Sequence, residues 1–121
     1  MTLKVSGFSS TSATYKVVND ADSDENEETD VTGASGKIYS IDITNGAGTN
    51  TSYVKFKLTS GIVDPGTTEP DMMLACGPNT AELYEFPNGL AFEQLSFWTT
   101  ILPATSNAAA PNSTIVTILC T

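Results

Sequence analysis

Apolar and polar residues alternate along much of this chain with a period of two, the spacing of strands with one buried face. The clearest case is KIYSIDIT, residues 37–44, which places Tyr39, Ile41 and Ile43 on one side and Ser40, Asp42 and Thr44 on the other. SYVKFKLT repeats the pattern, with Val54, Phe56 and Leu58 facing in and Lys55 and Lys57 facing out. The turn residues NGAGTN between them predict a β-hairpin. Before it, LKVSGFSSTSATYKVV reads as two short strands broken near Gly7 to Ser10.

Beyond residue 59 the punctuation is set by Gly and Pro. SGIVDPGTTEPD is a connection crossing the surface or one end of the fold, MMLAC is a strand, GPNT a turn and AELYEF the next strand. In EFPNGLAFEQLSFW, Pro87 cannot donate to a ladder and Gly89 tolerates positive φ, so the Pro-Asn-Gly corner is expected to reverse the chain. GLAF and LSFWTTIL continue as strands, although residues 89–95 also fit one helical turn. LPATSNAAAPNS is a loop, and TIVTILC is apolar enough for a central strand. The expected fold is all-β: an antiparallel β-sandwich, jelly-roll-like, of about seven or eight strands in a single domain over 1–121.

Composition sharpens this picture. Among 121 residues are 18 Thr and 12 Ser but only 16% charged residues, so hydroxyls supply much of the polarity and favour strands and turns over helices. The formal charge is −9, with five Lys, no Arg and no His, which excludes the phosphate neutralisation that nucleic-acid binding needs. No run of about 18 apolar residues and no apolar leader is present, so neither membrane insertion nor signal-directed export is expected. Half of the fourteen acids lie in NDADSDENEETD, and residues 19–35 are expected to form a solvated, mobile acidic surface loop.

Few groups suit catalysis. Without His there is no side chain that ordinarily titrates near neutrality to act as base, and no imidazole ligand. Cys76 and Cys120 each sit in an apolar run and read as buried thiols rather than a disulfide or nucleophiles. Glu82 and Glu85 have the residue types of a glycosidase pair, but outward-facing strand acids are the plainer reading. Asp20, Asp22 and Asp24 have the alternate spacing that opens an EF-hand loop. Glu25 then stands where that loop needs Gly, and Val31 where it needs a bidentate acid, so the solvated-loop reading prevails over weak cation binding. The sequons at Asn50 and Asn112 are expected by chance in a chain so rich in Ser and Thr. Trp98, with Tyr84, Phe86, Phe92 and Phe97, would suit a sugar-stacking platform, but core or subunit interface is the commoner fate of strand aromatics. No catalytic, cofactor-binding or metal residues are assigned.

The order GKIYSIDITNGAGTNTSYVKFKL, then GTTEPDMML, then EFPNGLAFEQLSF resembles small β-sandwich virion proteins of tailed bacteriophages, especially those of cyanophages and other marine phages. The resemblance covers roughly residues 33 to 120, leaving the first strands and most of the acidic stretch outside it. It implies a non-enzymatic capsid decoration or cement protein without cofactors, made in the host cytoplasm and located on the capsid surface. Its partners would be the major capsid protein or other virion proteins and further copies of itself, as a homo-oligomer and by analogy a trimer. Nucleic acid and membrane are not expected partners. The same resemblance fits a collar, tail or fibre component, and a carbohydrate-binding module is the reading from another class. The amino-terminal arm and acidic loop are the expected partner-facing parts, because ends and loops order on binding.

Overall fold

The computed structural model describes residues 3–9, 14–103, 105 and 113–121. Eight strands run in chain order: β1 (Leu3–Ser9), β2 (Thr14–Ser23), β3 (Gly36–Asn45), β4 (Ser52–Lys57), β5 (Met72–Cys76), β6 (Thr80–Phe92), β7 (Ser96–Thr100) and β8 (Thr114–Cys120). They form two antiparallel sheets, one of five strands in the order β1-β2-β8-β3-β6 and one of three in the order β5-β4-β7. No helix occurs among the described residues, and 89–95 run as the end of β6 and a bend.

The pairings nest. β4 pairs with β5, β3 with β6, and β2 with β8. Between these, residues 24–31 lie along β7: Glu28 and Phe97 exchange both backbone hydrogen bonds (2.8 and 2.9 Å), Thr99 N–H donates to Asp24 O and Val31 N–H to Leu95 O. β3 also pairs with β8 and β4 with β7, so the nested ribbon wraps into two facing sheets. This is jelly-roll wiring, with residues 24–31 in the place of the fourth strand of the short sheet and β1 added at the edge of the long one.

The inward residues of the two sheets make the core. Val18, Ile38, Ile41, Ile43, Val116, Ile118 and Cys120 come from the long sheet, and Val54, Phe56, Cys76 and Phe97 from the short one. Phe56 and Phe97 are cross-strand partners with ring centroids 6.1 Å apart. β8 lies between β2 and β3, as its apolar run predicts, and alternates buried and less buried positions along its length. The hydroxyl-rich composition also reaches the interior. Ser52 Oγ and Thr114 Oγ1 share a hydrogen bond of 2.6 Å between the sheets, and Ser23 Oγ and Thr99 Oγ1 one of 2.7 Å.

Several local expectations change. β3 and β4 do not pair as a hairpin but lie in opposite sheets, and the turn between them is an arch. Buried Asn45 holds it: its Nδ2 donates to the carbonyls of Asn50 and Cys76, and its Oδ1 accepts from Ala47 N–H. Tyr39 is only half-buried, because the register shifts between Ile38 and Ser40; Ile38 takes the core position and Tyr39 stacks edge-on with Tyr15 at 5.9 Å. The Pro-Asn-Gly corner does not reverse the chain. β6 continues through it, with Phe86 to Gly89 bulging out opposite Tyr39, and Pro87 is tolerated because β6 is an edge strand. Gly89 has φ of 78°, as a residue free to adopt the left-handed region should.

The acidic stretch is also not a free loop: Asn19 to Ser23 belong to β2, and residues 24–31 are fastened to β7. Finally, Lys55 lies on the outward face as expected but is fully buried beside its cross-strand neighbour Trp98. The adjacent outward residues Ser96 and Thr100 are buried too, so the outer face of β7 is covered. Of the loop expected over 102–113, only Leu102, Pro103, Thr105 and Ser113 are described; the expected amino-terminal arm is strand β1 over Leu3–Ser9, with residues 1–2 and 10–13 outside the described residues.

Ile118 has no solvent exposure and faces the inter-sheet core from the strand flanked by β2 and β3. Replacing it with Ala is expected to cost about 2–5 kcal/mol, read as a lowered urea midpoint with an unchanged slope. Ile62→Ala, at a side chain 92% exposed, should cost less than about 0.5 kcal/mol.

Candidate functional site

The described residue with the least ordinary environment is Asp20. Strand parity carries Val18 into the core, and two residues on it carries Asp20 to the same face, between its cross-strand partners Leu3 and Val116. Its side chain is fully buried. Oδ1 accepts from Asp22 N–H at 3.3 Å, while Oδ2 has no hydrogen-bond partner. The ladder between β2 and β8 is irregular between Asp20 and Ser23, where the chain leaves the long sheet for β7.

Burial pushes the Asp20 carboxyl up to about 7 from an ordinary 3.8, against the hydrogen bond from Asp22 N–H, with Glu28 and Asp22 adding like-charge repulsion. Glu28, on the segment along β7, is raised for the same two reasons, burial first and then Asp24. Asp20, Asp22, Asp24 and Glu28 thus form an acidic cluster where the long sheet hands the chain to the short one. No grouping of three or more His, Cys, Asp or Glu suited to a metal ion occurs among the described residues. The EF-hand-like spacing does not make a loop: Asp20 points inward from a strand, and Asp24 Oδ1 accepts from Asn26 N–H at 3.0 Å.

The other candidate residues do not converge. Glu82 pairs with inward-facing Ile43 and Glu85 with outward-facing Ser40, so the two acids leave β6 on opposite faces. Cys76 and Cys120 are buried free thiols. Cys76 Sγ lies 3.3 Å from Thr80 O and 3.5 Å from Ile43 O, and burial raises the Cys120 thiol. Both are protected from reaction in the fold. Trp98 is fully buried, Phe92 and Phe97 are core residues, and Tyr84 donates its hydroxyl to Ala75 O at 2.6 Å. These aromatics do not form an exposed platform. Asn50 is exposed in the arch, and Asn112 lies outside the described residues. No ligand-sized cavity opens among the described residues.

Two measurements check this environment. Between pH about 4 and 7 folded Asp20 retains a proton that the unfolded chain gives up, so stability should fall as pH rises through that window, by at most about 4 kcal/mol, and level off above it. Asp20→Asn should flatten the dependence in urea titrations at a series of pH values. Trp98, the chain's one tryptophan, should emit at short wavelength and red-shift only on unfolding, with glycans leaving the spectrum unchanged. No family model matches this chain, and searches of the curated proteins and of the solved structures return no match.

Proposed function

We propose that this protein is a non-enzymatic structural component of a tailed-phage virion, a capsid decoration or cement protein that binds the head surface and stabilises the shell. The observation that carries the reading is the nested jelly-roll wiring, which occurs among viral capsid domains, in a chain whose GKIYS, YVK and GLAF segments resemble phage virion proteins. Fold analogy alone does not assign a function, and the weight rests on the two features together.

The surface suits permanent protein contacts. β6 presents an outer edge free of strand pairing, and Leu83 on it is 57% exposed. Repetition of such contacts around a capsid symmetry axis makes a homo-oligomer, a trimer by analogy, the natural form. The collar, tail or fibre reading uses the same fold and differs in copy number. Burial of Trp98 works against the carbohydrate-binding reading, since a stacking platform needs an exposed ring.

Quantitative mass spectrometry and a density map of purified particles test the proposal. The expected result is a copy number commensurate with the major capsid protein and density on the head exterior, with heads lacking the protein rupturing at lower temperature. A few copies per particle, confined to collar or tail, would replace the decoration reading with the tail reading. Absence from particles would overturn both.

A further inference from the structure

We propose that residues 24–31 form a pH-sensitive strap, seated along β7 while Asp20 is neutral and loosened as Asp20 becomes a carboxylate facing Glu28 across the interior. The strap is thinly attached. Three backbone hydrogen bonds hold it to β7, from Thr99 to Asp24 and both ways between Glu28 and Phe97, and a fourth runs from Val31 to Leu95 just before that strand. Asp30 N–H adds one to Ser96 Oγ at 3.0 Å. Only Glu28 and Phe97 make a regular bridge, whereas β4 pairs with β7 over five successive residues.

Asp20 is placed to act on this attachment. It faces inward four residues before the strap begins, just ahead of the ladder irregularity and of Ser23, whose hydroxyl joins Thr99 of β7. Its Oδ2 is buried without a partner, a position that a neutral carboxyl tolerates far better than a carboxylate. The charged groups acting on it are Glu28 of the strap and Asp22 of its own strand. On Glu28 in turn act Asp24, Asp22 and Glu27, opposed by the positive amino terminus. Its flanking partners on β1 and β8, Leu3 and Val116, carry no charge, and neither does Ile43 beyond Val116 on β3; Glu82 follows at the exposed edge. The two charged groups that act on Asp20 itself are both acidic, so its ionisation adds repulsion. Lifting the strap lets water reach Asp20 and increases its separation from Glu28, and both changes favour the ionised, open form. An open strap uncovers the backbone edge of β7, the kind of edge to which an extended segment of another chain can add.

The test is native-state hydrogen exchange of the full chain from pH 5 to 8.5, corrected for the intrinsic pH dependence of exchange, at several sub-denaturing urea concentrations. The amides to follow are Glu28, Val31, Phe97 and Thr99, with Ile41 and Ile118 reporting on the core. The expected result is that strap and β7 amides exchange by a urea-independent opening whose constant rises up to about tenfold per pH unit and levels off near pH 7. In Asp20→Asn that opening should be independent of pH. Should Asp20→Asn fail to fold, Glu28→Gln supplies the reading: the opening should level off at lower pH than in the wild type. The proposal is overturned if strap amides share the urea dependence of Ile41 and Ile118, if Asp20→Asn keeps the wild-type pH slope, or if Glu28→Gln leaves the plateau where it was.

Discussion

Burial of the aliphatic side of β8 is the constraint on which the remaining architecture depends. Val116, Ile118 and Cys120 face the short sheet, while the backbone of the same strand satisfies β2 on one side and β3 on the other. A strand used on both edges and on one face fixes the registers of its neighbours, because a slip of one residue would turn every core side chain outward. The outer pairings of the ribbon follow from it. β3 carries the constraint to β6, and the inner face of the long sheet packs in one core with Val54, Phe56, Cys76 and Phe97 of the short sheet.

The polar interior complements this apolar frame. The Ser52–Thr114 and Ser23–Thr99 hydroxyl pairs and the three hydrogen bonds of Asn45 satisfy groups that would otherwise oppose burial. Trp98 Nε1, Ser113 Oγ and Asp20 Oδ2 are buried without a hydrogen-bond partner among the described residues, and of these three side chains Asp20 alone is an acid, in a core-facing position. The contrast between satisfied hydroxyls and an unsatisfied acid is why the end of β2 is read as poised rather than merely packed.

Much of the fold was legible in the residues because period-two alternation directly reports which face of a strand is buried. Ile41 and Ile43 on β3, Val54 and Phe56 on β4, and the apolar run of β8 all lie where that pattern puts them. What alternation does not report is which strand lies beside which. NGAGTN carries the residues of a hairpin turn, yet Asn45 bonds across to Cys76 O and turns it into an arch between sheets. The bulge at Tyr39 shifted the phase by one residue, and Pro87, a chain breaker in isolation, was accommodated on an edge. Asp20 was hidden by composition: reading 19–30 as one acidic run masked the parity that Val18 sets for Asp20. Lys55 was placed on the correct face, but nothing in its local sequence reveals that the face is covered.

The wiring has a consequence for biosynthesis. A ribbon paired from its middle outward brings β4 and β5 together early, whereas β2 must wait for a partner that begins ninety-one residues after its own end. Until β8 has emerged from the ribosome, the facing edges of β2 and β3 stand apart with their apolar sides uncovered. The nascent chain is therefore exposed to misassociation from the synthesis of β2 until that of β8, and solubility in that interval falls to the hydroxyl-rich, acidic segments between the strands.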